Sequence, residues 1–376
     1  MKIATVKVSK QHKTDYILLA CVLFLVGFGI LMVYSASFYS AELTYGNKMF
    51  FAKKQIVGAV IGLVAMIGTS FINYNILQKL KWPAIILSTL LLTAVFIPGL
   101  GVTNYGATRW INLGFFTLQP SEIAKFGFVI FSAAYLSKNY TKVKSFVGII
   151  PVIIAGGVMC LLIIMEPNMS ITICVALTMI VMLIVGGAKF KHFVIIAIPM
   201  VALAVTLVLI EPYRLKRLLA FLDPWSSAQA EGFQLVQSLY AVGSGGWFGV
   251  GLFNSRQKYL FLPFAESDFI FSIIAEEFGF VGCLLLLGIY LIVILRGIKI
   301  AKNAVNRFGC YLATGIVAII ALQLIINIAV VTGSIPPTGL PLPFISAGST
   351  SLVVFMSAIG VLLNIDKQSR KNFIQL

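Results

Sequence analysis

Apolar residues in this chain come in long unbroken blocks, not in the period-two alternation of half-exposed strands. Blocks of spanning length fall at about 16–37, 52–72, 82–98, 120–137, 146–165, 169–187, 190–210, 269–295, 308–333 and 345–364. Each matches the ~20 residues that a helix rising 1.5 Å per residue needs to cross a hydrocarbon layer. The pattern predicts an all-α polytopic membrane protein with ten transmembrane helices. Its tightest boundary is Glu166-Pro167-Asn168, a very short turn between helices five and six. One stretch breaks the pattern. Residues of about 211–268 are too polar to span and too many for a turn. They predict a large extracellular loop between helices seven and eight, inside a single transmembrane domain covering residues 1–376.

Smaller elements are legible within that loop and after it. Leu222-Asp223-Pro224-Trp225 reads as an interfacial turn with an aromatic anchor. Residues 231–242 place Phe233, Val236, Leu239 and Tyr240 on one helical side, predicting an amphipathic helix lying on or dipping into the bilayer. Gly243, Gly245, Gly246, Gly249 and Gly251 follow and do not suit a helix interior. They either form a flexible turn or bring backbone amides close to a partner. The run has no Lys-Ser/Thr ending, which excludes a nucleotide P-loop. The last outer stretch, 331–351, is rich in Pro, Gly and Ser and has no charge, so it predicts a re-entrant segment packed on protein.

Composition agrees with the blocks. The chain is 60% hydrophobic and 11% charged, against about a quarter charged in soluble domains. Its net charge of +16 would suggest nucleic acid in a soluble protein. Here the placement decides otherwise. Lys2, Lys7, Lys10, Lys13, Lys79, Lys81, Lys138, Lys142, Lys144, Lys189, Lys191, Arg296, Lys299, Lys302, Arg307, Lys367, Arg370 and Lys371 all fall on one side of the helix scheme. Of the 12 acids, only Asp15 and Asp366 join them. The positive-inside rule makes that side cytoplasmic, with both termini on it. The charge is an orientation signal facing membrane lipid, and nucleic acid is excluded as a partner. The first apolar block is long for a cleaved leader and is read as a retained helix.

Little catalytic chemistry remains available outside. Five cysteines sit in apolar blocks without a C-x-x-C pair and read as small buried hydrophobes. The two histidines, His12 and His192, both fall inside. A Ser-His-Asp triad, a Cys-His pair or a His-ligated zinc on the outer face is therefore excluded. A base there must be Asp or Glu, with Lys or Tyr behind them.

Four constellations lie toward the outer side. In Gly106–Lys125, Arg109 stands in a loop, Pro120 suits the first turn of helix four, Gln119 or Ser121 could cap it, and Glu122 and Lys125 share a helix face as a structural ion pair or a functional pair. Glu166 lies in the short turn and either meets water or lines a cavity. The long loop carries Arg214, Lys216, Arg217, Arg256 and Lys258. Finally, Asp268 opens helix eight, where it would cap the helix and stay ionised. Glu276 and Glu277 follow two turns deeper and need partners or water. Carboxylates, cations and apolar grooves together suit an amphiphile with an anionic head and a lipid tail, such as a lipid-linked sugar pyrophosphate. Transfer from such a donor needs a base on the attacking hydroxyl and cations on the departing pyrophosphate, but no acid for the leaving group.

Several long motifs, in order, carry a resemblance over nearly the whole chain. LMVYSAS, GATRWINLGFFTLQPSEIAK, SLYAVGSGGWFGVGLFNSRQKYLFLP, SDFIFSIIAEEFGFVG and PPTGLPLPFISAGSTS resemble the SEDS family (shape, elongation, division, sporulation), which includes the FtsW, RodA and SpoVE proteins. The resemblance implies ten transmembrane helices in the bacterial cytoplasmic membrane and polymerisation of lipid II into peptidoglycan glycan strands. The partners it implies are lipid II, undecaprenyl-pyrophosphate-linked glycan and a class B penicillin-binding protein. It places the catalytic base, acting on the acceptor GlcNAc 4-hydroxyl, at Asp268. It places substrate contacts at Arg109, Glu122 and Lys125, with Glu166, Arg214, Arg256, Lys258 and Glu276 as further candidates. No cofactor is required; a divalent cation, Mg or Mn, at the pyrophosphate is compatible, but no clustered ligand set demands one. A lipid II flippase and a non-catalytic divisome scaffold are the alternatives. The chain departs from the family pattern at Asn168, Phe264 and Ala347, and its role in division, elongation or sporulation is open.

Overall fold

The computed structural model describes residues 15–104, 107–112, 114, 117–195, 206, 216, 219–337 and 339–372. Eleven α-helices are followed here: α1 Tyr16–Tyr45, α2 Phe50–Phe71, α3 Asn75–Lys79, α4 Lys81–Ala94, α5 Pro120–Lys138, α6 Phe146–Met165, α7 Met169–Val185, α8 Phe233–Ser244, α9 Ile270–Lys302, α10 Arg307–Val331 and α11 Ser349–Asn372. Six of them, α1, α2, α6, α9, α10 and α11, are long and apolar enough to cross a membrane, while α4 and α7 are shorter apolar helices. The polytopic, mainly helical architecture expected from the blocks is therefore present. The seventh expected span, about 190–210, is described only at 190–195 and 206, and the rest of it lies outside the described residues.

Local chemistry sets several helix ends. Asp15 accepts from the Leu18 amide at 3.1 Å and caps α1, and Gly46 closes that helix in a left-handed conformation. Asn168 caps α7 by accepting from the Ile171 amide at 3.3 Å. The Asn168 departure from the family pattern thus still supplies the oxygen this turn needs. Pro120 stands in the first turn of α5 as expected, but neither Gln119 nor Ser121 caps it: Gln119 makes no side-chain capping bond, and the Ser121 hydroxyl is buried with no partner among the described residues.

One element departs from the all-α expectation. A three-stranded antiparallel sheet, β1 Gly101–Asn104, β2 Ala107–Asn112 and β3 Thr117–Leu118, sits between α4 and α5. Its register pairs Val102 with Trp110 and Ile111 with Leu118. Such short strands carry too few alternating positions to stand out beside blocks of twenty apolar residues.

The helices pack as a bundle whose core includes Leu18, Val22, Phe128, Ile163, Ile273, Ile316, Phe355 and Ile359. Close approach of α2 and α11 depends on small residues. A Cβ at Gly62 would lie 2.6 Å from Met356 Sδ, and one at Gly360 2.0 Å from Thr69 Oγ1. All five cysteines are free; Cys174 and Cys283 are buried as expected, while Cys21, Cys160 and Cys310 are only half-buried.

The loop helix α8 corrects a second expectation. Its buried positions are Leu235, Val236, Ser238 and Ala241, while Tyr240 is exposed. The helix turns this face to α9 and α10, not to lipid. Ser238 Oγ meets Ser272 Oγ at 2.9 Å and donates to the Val331 carbonyl at 2.8 Å. A polar ridge for interhelical bonding outranks the apolar stripe read from the sequence.

Candidate active site

The site grows from a break in α9. Gly279 adopts φ 66°, ψ −169°, so the helix divides into an entry half, 270–278, and a longer continuation. A break strands carbonyls that would otherwise accept from the next turn. The glycine segment supplies what is missing. Val250 N–H donates to the Glu276 carbonyl at 2.9 Å and Gly251 N–H to the Glu277 carbonyl at 3.1 Å. In return, Phe280 and Val281 donate to the carbonyls of Gly246 and Trp247. Contact is backbone on backbone: a Cβ at Gly249 would sit 2.1 Å from the Glu277 carbonyl oxygen, and Gly249 itself has φ +81°. Two amides at the end of this run, those of Val250 and Gly251, are thus given to the protein's own broken helix.

Both acids at the break are buried and fully engaged. Glu277 pairs with Lys258 Nζ at 2.9 Å, each side chain with no exposure, and accepts from Ser35 Oγ of α1 at 2.7 Å. Lys258 Nζ also lies 5.0 Å from the centre of the Phe38 ring. Glu276 accepts from the Arg256 amide at 2.9 Å and from the Ser255 hydroxyl, clamping the start of the 255–258 turn. Lys258 and Glu276, expected on substrate, thus face protein partners that fix the loop. The Arg256 side chain, by contrast, is exposed.

Asp268 stands two residues before α9 begins. The capping position is Phe269, and no side chain caps the helix, so the expected N-capping role is not the one Asp268 plays. Its carboxylate is half-buried and lies against the re-entrant loop, where Gly339 at φ +69° makes room for it. A Cβ there would be 2.7 Å from Asp268 Oδ2. Bonds to its main chain hold this turn segment against that loop and α10. Asn327 Nδ2 donates to the carbonyls of Asp268 at 2.9 Å and Leu340 at 2.7 Å, Ser346 Oγ to that of Ser267 at 2.6 Å, and the Ala347 amide to that of Glu266 at 2.9 Å. Burial pushes the Glu266 carboxyl above its usual range, and neighbouring Asp268 pushes it further the same way.

A second buried pair lies deeper. Lys125 Nζ meets Glu122 Oε1 at 2.9 Å and Gln323 Oε1 at 2.8 Å, and the Ser351 hydroxyl donates to Glu122 Oε2 at 2.8 Å. Neither charged side chain is exposed. This network ties α5, α10 and α11 together, and Gln323 Nε2 extends it to the Pro341 carbonyl at 2.9 Å. Gln323, Asn327, Ser351 and Ser35 were missed from the sequence. The signal for the first two was there: two amides one turn apart on an otherwise apolar helix.

Arg109 comes from β2. It donates through Nε to the Glu166 carbonyl at 3.2 Å and through Nη2 to that of Pro167, bracing the α6–α7 turn. The Glu166 carboxyl is fully buried, and neither oxygen has a hydrogen-bond partner among the described residues. Burial raises it to about 8 against the opposing pull of Arg109. Arg214 lies outside the described residues. Among the described residues, no group of three or more His, Cys, Asp or Glu is placed to hold a metal.

Comparison with known proteins points in one direction. The profile of the FtsW, RodA and SpoVE family, described as cell cycle protein, matches residues 15–371. The chain is 40% identical to stage V sporulation protein E of Bacillus subtilis (strain 168), over 96% of this chain and 99% of that protein. It is 38% identical to the probable peptidoglycan glycosyltransferase FtsW of Geobacter sp. (strain M18), over 95% of this chain and 97% of that one. Among solved structures, a chain from the work on structural coordination of polymerization and crosslinking by a peptidoglycan synthase complex superposes with a TM-score of 0.79 at 25% identity, covering 95% of this chain and 98% of that chain. Thermus thermophilus rod shape determining protein RodA superposes at 0.67 and 23% identity, covering 94% and 97%, which establishes likeness of fold.

Proposed function

The chain belongs to the FtsW, RodA and SpoVE family, and on that premise we propose that it is a peptidoglycan glycosyltransferase of the cytoplasmic membrane that polymerises lipid II at the outer face. The observation that carries this reading is Asp268. It is an acid on a pinned turn, half-exposed, at the mouth of a broken helix and on the same end of the bundle as Arg109 and Arg256.

Asp268 acts as the general base. It takes the proton of the acceptor 4-hydroxyl, whose oxygen attacks the anomeric carbon of the donor, and the lipid pyrophosphate leaves as an anion. An aspartate held by its backbone, half-exposed and with its carboxylate against Gly339, suits that work better than one spent on a helix cap. Arg109, Arg214 and Arg256 are the cations for the developing charge on pyrophosphate. A divalent cation at the pyrophosphate would add to them. The two buried pairs, Glu122–Lys125 and Glu277–Lys258, shape the walls. With both termini cytoplasmic, these groups face outward, where a class B penicillin-binding protein would cross-link the product. The synthase complex among the solved structures supports that partner.

The test is polymerisation of labelled lipid II by purified protein with its transpeptidase partner. Wild type makes glycan polymer, and Asp268→Asn makes none while keeping its fold. Movement of lipid II across proteoliposomes without polymer would instead make the protein a transporter.

A further inference from the structure

Glu166 is the sharpest electrostatic anomaly in the molecule. It has no solvent exposure, and both carboxylate oxygens lack a hydrogen-bond partner among the described residues. An ionised carboxylate in that state is costly, and buried acids at membrane depth persist where they serve a purpose. Arg109 braces the backbone of the same turn, with its guanidinium on the carbonyls of Glu166 and Pro167. Of the elements packed round this turn, β2 brings Arg109, and α5 brings Glu122 and Lys125, which are spent on each other. Helix α7 brings only the thiol of Cys174, α6 only that of Cys160, and the adjoining end of α10 brings no ionisable side chain. Among the described residues, the charge that acts on Glu166 is thus Arg109.

We propose that Glu166 is a positioning residue that sets the pull of Arg109 on the diphosphate of the lipid-linked substrate, neutral Glu166 leaving that pull intact and ionised Glu166 cancelling it. This rests on the glycosyltransferase reading and adds a control to its anion contact. When Glu166 is protonated, it adds no negative charge beside the guanidinium, which lies on the Glu166 and Pro167 carbonyls and attracts the diphosphate. When Glu166 releases its proton to solvent, a negative charge appears beside the guanidinium, repels the diphosphate and draws Arg109 inward.

The sign follows from the raised acid. With a midpoint of about 8, the neutral fraction falls about tenfold between pH 7 and pH 9, and the apparent affinity for an anion falls with the competent fraction. The test measures binding of undecaprenyl diphosphate to the full chain in nanodiscs at pH 7 and pH 9. Wild type is expected to lose about tenfold in affinity, and Glu166→Gln, fixed in the neutral form, to lose only what titration of the probe itself accounts for. Equal losses in the two proteins, or none in wild type, overturn the proposal. Infrared titration of wild type provides a second readout that does not depend on the variant folding. A protonated carboxyl band disappears near pH 8, and at higher pH in Arg109→Gln, where the stabilising cation is gone. A Glu166 that is ionised at pH 7 in both proteins also overturns it. Polymer formation is scored separately: a wild type that shows the binding step but makes no polymer removes the glycosyltransferase reading and leaves the Glu166–Arg109 coupling standing.

Discussion

The two ion pairs with no solvent exposure lie at the end of the bundle that carries Asp268, among neutral amides and hydroxyls, whereas the described contacts at the opposite end are mostly neutral amides. The Asp268 end buries Glu122 with Lys125 and Glu277 with Lys258, all four side chains without exposure. The opposite end is stitched by Asn364, which accepts from the Tyr74 amide at 3.0 Å and donates to the Ser70 carbonyl at 2.8 Å, and by Asn306, which donates to Asn75 at 2.9 Å. An ion pair there among the described residues, Arg296 with Asp15 at 3.5 Å, leaves the arginine 28% exposed. Taking charges out of water costs several kcal/mol per ion, and a buried pair often holds a fold no better than apolar residues would. Amides do the same stitching with a smaller desolvation cost. Fully buried ion pairs thus sit at the end where a charged substrate has to be handled, while at the other end the buried Asp15 pairs with an arginine still partly in water.

That contrast can be attacked directly. The largest expected effect is Lys125→Met, which strands a buried Glu122 and destabilises by about 3–5 kcal/mol. Adding Glu122→Gln should restore most of that stability without restoring polymer formation. A double variant as unstable as the single one in thermal unfolding would show that the pair is structural glue and would erase the contrast. Next comes Gly249→Ala, which forces a side chain against the Glu277 carbonyl at a positive φ. It should cost about 1–3 kcal/mol and detach the loop that Glu276 and Glu277 clamp, read as lost polymerisation in protein that still folds. Asn364→Ala is smaller, about 1–2 kcal/mol for the partners left unsatisfied, and should leave polymerisation unchanged in the folded fraction. Asp15→Asn should be smallest, within about 1 kcal/mol, because its partner is partly in water.

Much of this was legible along the chain. The apolar blocks, the turn at Asn168 and the turn at Asp223 needed only local pattern. Asp268, Arg109 and the Glu122–Lys125 pair were also singled out before the fold was known. Their partners were not. Nothing local says that Lys258 reaches Glu277, that Ser35 of the first helix closes that pair, or that the end of the glycine run feeds carbonyls 26 residues further along the chain. The stripe chosen for α8 failed for the same reason. Period-3.6 reasoning finds an apolar face, but Ser238 is buried because Ser272 and the Val331 carbonyl stand opposite it.

By itself the sequence determined the class of the protein, its membrane-spanning blocks and the acids available for chemistry, because burial in lipid demands helices and helices are written in local periodicity. The tertiary structure alone decided what each charge does. Glu276, Glu277 and Lys258 became a clamp, Glu166 a buried acid beside Arg109, and Asp268 the half-open carboxylate. The fate of an ionisable group depends on the dielectric and the counter-charges around it, and those are brought together only when distant segments pack.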